Sequence, residues 1–174
     1  AMKIQDWPVV PFRAIHLDLK GLTPNLPTLK EFLERAAFYK FNTVLVEYED
    51  RFPFECLPEV RGPHAFSPES LKEFLACAEY HGLDVIPLVQ TLGHWEFVLR
   101  HEKYRELAEA PDVPQQVCPS NPKAQKLVRE MVREIIAAHP HSNYIHLGAD
   151  ETWQLGQCSA CRSQGQKKNG KHEL

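Results

Sequence analysis

Two kinds of hydrophobic pattern alternate along the chain. Four short runs rich in Val, Ile, Leu or Tyr, at residues 14–19, 43–48, 84–89 and 144–149, have the length and composition of strands. Between them the apolar spacing becomes helical. A first helix starts at Thr28 with Glu31 three residues on, a capping-box pattern, and carries Leu29, Phe32, Leu33, Ala36 and Ala37 on one face. A second opens with Ser67-Pro68-Glu69, buries Leu71, Phe74, Leu75 and Ala78, and ends at His81-Gly82. A third opens with Asn121-Pro122, presents Leu127, Val128, Met131, Ile135 and Ala138, and stops before Pro140. A further helical stretch around 95–107 decorates the loop after the third strand. The order βαβαβαβ predicts parallel strands joined by right-handed crossovers. Pro87 is the one discordant residue, because proline is ill suited to a central strand.

Composition sets limits. With 174 residues, 43% apolar and 25% charged, the chain reads as one globular domain rather than a disordered or fibrous one. A net charge of -3 argues against nucleic acid or an anionic membrane as partner. No apolar run approaches the ~20 residues that cross a bilayer. A complete eight-stranded β/α barrel takes roughly 250 residues, more than are present. The five cysteines are odd in number, and no signal-peptide pattern follows Ala1-Met2, so reduced thiols and a cytoplasmic setting are expected. The closing Lys171-His172-Glu173-Leu174 is loosely like a retention tail, which has little force without an entry signal.

The polar residues gather where the strands end, which is where parallel α/β folds bind ligands. The first strand runs into Asp18 and Lys20, and the second into Glu47, Glu49, Asp50 and Arg51. The third runs into Gln90, Thr91 and His94, and the fourth into Asp150 and Glu151. Acids plus a histidine, without excess lysine, suit general acid–base chemistry on a neutral, hydroxyl-rich substrate. In His146-Leu147-Gly148-Ala149-Asp150-Glu151, small residues leave room for a ligand ring before two adjacent acids. Consecutive strand residues point to opposite sides, so the two carboxyls can meet different environments and hold different pKa values. The competing reading is a helix N-cap pair.

This segment resembles the His-x-Gly-Gly-Asp-Glu signature of the family-20 glycoside hydrolases, the β-N-acetylhexosaminidases, with Ala149 in place of the second glycine. His81 to Pro87 followed by Gly93-His94 resembles their third-strand pattern, which accounts for Pro87. Leu88-Val89-Gln90-Thr91 departs from it, standing where many members have Glu-x-Asp-x. Arg13 with Leu17-Asp18 resembles the first-strand pattern, and Asn42 through Asp50 the second. Glu47-Tyr48-Glu49-Asp50 and the third-strand run most resemble the hexosaminidase D branch, which is cytosolic or nucleocytoplasmic and often prefers N-acetylgalactosaminides.

The resemblance implies an α/β fold of parallel β/α units from a TIM-type (β/α)8 barrel, with only about the first four strands present. Residues 1–11 would be a lead-in and 12–174 a partial barrel, truncated near its fourth helix. It implies removal of terminal non-reducing N-acetyl-β-hexosamine from a glycoside by a substrate-assisted retaining mechanism. Asp150 would orient the substrate's acetamido group. Glu151 would be the general acid and then the base, which asks for a raised pKa. His94 and Asp50 would together steer the proton of that acid, and Arg13 would bind sugar hydroxyls. Asp18 would support the site, and His146 is either a satisfied core histidine or a substrate contact. No cofactor and no metal are implied.

Cys158-Ser159-Ala160-Cys161 has zinc or redox spacing, but one such pair is half a zinc site, and incidental thiols are the expectation. Trp95 and Phe97 are expected to pack the loop rather than stack on sugar. An open four-strand sheet would expose two edges and an apolar face. A homodimer closing the barrel, or the missing C-terminal half of a longer enzyme, is therefore expected. The alternative function is a catalytically incomplete half-barrel that needs another chain.

Overall fold

A computed structural model describes residues 2–22 and 24–168, with side chains through residue 163. Three parallel strands, β1 (Ala14–Asp18), β2 (Thr43–Glu47) and β3 (Asp84–Leu88), form a sheet in the order β1-β2-β3. Ala14 lies opposite Thr43, and Thr43 opposite Asp84, so the three carboxyl ends finish side by side. The central strand is buried on both faces at Val44 and Val46 and at Thr43 and Glu47, as a covered parallel strand requires. The helices between them are α1 (Leu26–Phe38) and α2 (Pro68–Tyr80), which pack on each other. A short α3 (Glu96–Leu99) and a 3-10 turn (Glu102–Leu107) follow β3, then α4 (Pro122–Ala138) and α5 (Ser159–Lys168).

Local chemistry explains the boundaries. The Ser67 hydroxyl accepts from Ser70 N–H at 3.1 Å, and Ser70 Oγ accepts from Ser67 N–H at 2.8 Å, a capping box that starts α2 ahead of Pro68. Gly82, at φ 70, ends the same helix in the left-handed region. Asn121 caps α4, accepting from Lys123 N–H at 2.9 Å. The first helix starts earlier than its sequence pattern suggests. Asn25 is the cap and accepts from Thr28 N–H at 3.0 Å, while Glu31 pairs with Arg35 one turn on. An amide side chain three residues before Thr28 competes for the same orphan donor, and Pro27 fits the first turn.

The expected fourth strand contracts to a single bridge between Leu88 and His146. His146 N–H donates to the Pro87 carbonyl and Val89 N–H to the His146 carbonyl, each at 3.0 Å. The preceding rung would need a Pro87 N–H directed at the Tyr144 carbonyl, and proline has none. Ser142 Oγ donates to that carbonyl instead, at 3.1 Å. Beyond the bridge, Gly148 and Ala149 turn left-handed, at φ 61 and 73, and leave the β region. Pro87 thus sits comfortably between β2 and the bridge, and its cost falls on the fourth segment. The tail at 171–174 lies outside the described residues.

Candidate active site

The left-handed turn at Gly148-Ala149 delivers Asp150 and Glu151 beside the loop that leaves β3. His94 Nε2 stands 3.2 Å from Asp150 Oδ2 and 3.5 Å from Glu151 Oε2, so one imidazole faces both acids. Both carboxylates are exposed, and the histidine is largely covered. Partial burial opposes ionisation of Asp150, but its own backbone N–H, His94 and His146 outweigh it, holding the carboxyl below the usual range. Asp150 is therefore ionised near neutral pH. His94 and Glu151 both have positive φ, at 55 and 50, and such left-handed geometry at non-glycine residues concentrates at functional sites.

A second layer of contacts fixes that turn. Gln90 Nε2 donates to Glu47 Oε1 at 2.7 Å, and Glu47 is buried at the end of the central strand. Gln90 Oε1 accepts from Ala149 N–H at 3.4 Å. Thr91 Oγ1 donates to the Leu147 carbonyl at 2.6 Å. The departure from the Glu-x-Asp-x pattern thus has a use: a neutral amide spans a buried carboxylate and the backbone of the acid turn. Trp95 is fully buried and donates its indole N–H to the Gln90 carbonyl at 2.9 Å, and Phe97 is buried as well, so both pack the loop as expected.

The remaining site residues divide. Asp18 stands at the end of β1 and accepts from Lys20 N–H at 2.8 Å. Asp50 faces the same end of the sheet, and its carboxylate holds Arg100, the residue that caps α3, at 2.8 Å. His146 is exposed rather than in the core, and its Nδ1 accepts from Gly148 N–H at 3.1 Å, shaping the turn before the acids. Arg13 does not join the cluster. It precedes β1, at the opposite end of the sheet, and donates to the carbonyls of Lys40, Val10 and Pro11 at 2.6, 2.7 and 3.0 Å.

A cavity of 330 Å³ opens among the strand ends, lined by Lys20, Glu49, Asp50, Arg51, Glu96 and Arg100, among others. A larger one of 460 Å³ lies between α1 and α2 and holds none of the clustered acids, so its size carries no functional argument. Glu49 is buried in the strand-end cavity, and burial lifts its pKa to about 7 against the pull of Lys20, 3.3 Å away; Glu47 and Asp18 add to the rise. Glu49 is a titratable group that the sequence placed at the strand end without assigning it a role.

Comparison with known proteins adds independent findings. The model of glycosyl hydrolase family 20, catalytic domain, matches residues 10–173. Hexosaminidase D of Bos taurus is 40% identical over 164 residues, covering 93% of this chain and 47% of that protein. Hexosaminidase D of Homo sapiens is 39% identical, covering 91% of this chain and 34% of that protein. The chain thus spans a third to a half of these relatives. Among solved structures, a beta-N-acetylhexosaminidase from Bacteroides fragilis superposes with a TM-score of 0.78 at 26% identity, covering 94% of this chain and 36% of that one. Another beta-N-acetylhexosaminidase gives a TM-score of 0.80 at 25% identity, covering 97% and 42%.

Proposed function

The chain belongs to glycosyl hydrolase family 20, and from that membership we propose that it carries the acid pair of an enzyme removing terminal N-acetyl-β-hexosamine from glycosides. The observation that supports this reading best is His94 Nε2 within 3.2 and 3.5 Å of two consecutive acids. In a substrate-assisted reaction the 2-acetamido oxygen attacks the anomeric carbon, so no side-chain nucleophile is needed. Asp150, held ionised, accepts the acetamido N–H and balances the positive charge that develops on the oxazolinium ion. Glu151 protonates the departing oxygen and then takes a proton from water. His94, reaching both, aligns them. The barrel reading, with this chain as its first β/α units, and a cytosolic setting with reduced thiols belong to the same proposal.

The test is hydrolysis of aryl N-acetyl-β-galactosaminide and N-acetyl-β-glucosaminide, run in parallel. Glu151→Gln is expected to lower turnover by roughly 10²–10⁴-fold, as loss of a general acid does. Unchanged turnover in that variant would overturn the assignment.

A second reading rests on exposed apolar groups at both flanks of the sheet. Val9, Val10 and Phe12 lead into β1, and Tyr144, Leu147, Trp153 and Leu155 surround the fourth segment. These surfaces fit a chain that needs a further β/α portion, or a second copy, to complete its sugar pocket. Activity that appears only on adding such a portion supports this reading; full activity in a monomer removes it.

A further inference from the structure

Outside the acid cluster, two distant stretches of chain bring four metal-ligating side chains together. Glu109 and Cys118 flank a short antiparallel bridge between Ala108 and Val117, while Cys158 and Cys161 sit at the start of α5. Their three sulfurs and a carboxylate oxygen all lie within 4.8 Å of one another. Cys118 Sγ is 3.5 Å from Cys158 Sγ and 3.6 Å from Cys161 Sγ, and Cys161 Sγ is 3.4 Å from Glu109 Oε2.

We propose that Glu109, Cys118, Cys158 and Cys161 form a structural zinc site. A tetrahedral ion with Zn–S bonds of about 2.3 Å holds its sulfurs about 3.8 Å apart, close to the spacing found here. Three thiols cannot all be consumed by one disulfide, and the fourth donor is a carboxylate, a ligand zinc accepts. Cys161 N–H donates to Cys158 Sγ at 3.3 Å, and Cys158 N–H to Glu109 Oε1 at 2.9 Å, so backbone donors already support a ligand from each stretch. Glu109 and Cys118 are buried, and among the described residues no lysine, arginine or histidine forms an ion pair with Glu109. A buried carboxylate beside three thiols needs a cation more than it needs a further neutral neighbour. On binding, each thiol releases its proton to solvent, and four protein ligands leave no open position for chemistry. The Cys-x-x-Cys pair, half a site in the sequence, gains its other half from residues some forty to fifty positions upstream.

The clamp ties the acid turn from behind. Trp95 N–H donates to the Gln115 carbonyl at 2.9 Å, and Val117 N–H to the Leu92 carbonyl at 3.0 Å, so the 109–118 strap rests on the His94 loop. Gln154 N–H donates to Gln116 Oε1 at 3.2 Å, between Glu151 and the cysteine pair.

The test is zinc content by plasma mass spectrometry after gel filtration of the reduced chain loaded with zinc. About one ion per chain is expected, falling below about a tenth in Cys118→Ser and Cys161→Ser and unchanged in Cys77→Ser. Because the serine variants can fail to fold, cobalt added to the unaltered chain gives a second readout. Intense visible bands with thiolate-to-metal charge transfer are expected from a tetrahedral thiolate site. Weak octahedral bands, no retained zinc in the folded chain, a Cys118–Cys158 disulfide in its place, or full retention in Cys118→Ser would each overturn the proposal.

Discussion

Gly93 lies so close to Asp150 that a Cβ placed on it would stand 2.1 Å from the Asp150 carbonyl oxygen. Gly93 has no left-handed backbone to explain it, so space alone demands glycine here. The loop carrying His94 and the turn carrying the acids are thereby pressed into contact. Gly93→Ala must push the two apart. We expect a loss of about 1–3 kcal/mol in stability, as overpacking costs. Because misplacement by about 1 Å can cost 10²-fold in rate, turnover should fall by roughly that factor. Urea unfolding and the paired glycoside assay check the two effects; a stability loss with full turnover would detach the contact from catalysis.

Gln90 is the bridge between the sheet and the acid turn. Gln90→Leu leaves Glu47 Oε1 without its 2.7 Å donor and Ala149 N–H without its acceptor. An unsatisfied buried polar group costs about 1–3 kcal/mol, and urea unfolding should read a loss of that size. Gln90→Glu should be worse, because it sets a second carboxylate against a buried one. Either variant matching the parent's midpoint would show that Glu47 is satisfied without the amide.

Much of this arrangement is legible in sequence, for identifiable reasons. Helices announce themselves through local signals such as Ser67-Pro68 and Asn121-Pro122, and those two caps form as read. The carboxyl-end clustering of the acids follows from parallel topology alone. The fourth strand fails because its fate depends on a non-local rung: Pro87 withholds one hydrogen bond from Tyr144, and no pattern within 144–149 records that. Arg13 matches the motif in sequence, but three backbone carbonyls at the far end of the sheet claim its guanidinium. The fourfold cluster at Glu109 escapes for the same reason, since Cys118 and Cys158 are forty residues apart and meet only in the fold.

Glu49 predicts a pH dependence of stability. Its folded pKa of about 7 exceeds the ordinary 4.5, so the folded chain keeps a proton that the unfolded chain loses in between. Below about pH 4.5 both states are protonated and there is no penalty. As pH rises towards 7 the unfolded state ionises first, and stability falls; above that the penalty is complete. Glu49→Gln should flatten this decline and stabilise the chain on the alkaline side by on the order of 1–3 kcal/mol, less what Lys20 loses. Glu49 already has φ 47, and glutamine carries the same backbone strain, so the comparison isolates charge. Equal slopes for variant and parent from pH 5 to 7.5 would exclude Glu49 as the titrating group.

Arg13 separates a sugar contact from a structural one. Strand β1 has five residues at about 3.3 Å each, which puts its two ends roughly 15 Å apart. From the far end, with Nε and Nη1 already donating to Lys40, Val10 and Pro11, the guanidinium holds the lead-in to the loop before β2. Arg13→Lys keeps the charge and loses the planar fork, so a structural role predicts about 1 kcal/mol less stability. KM for either N-acetylhexosaminide should stay within about twofold, because uniform binding is untouched. A raised KM at unchanged melting temperature would return Arg13 to the sugar pocket, and would require the 11–13 segment to leave Lys40.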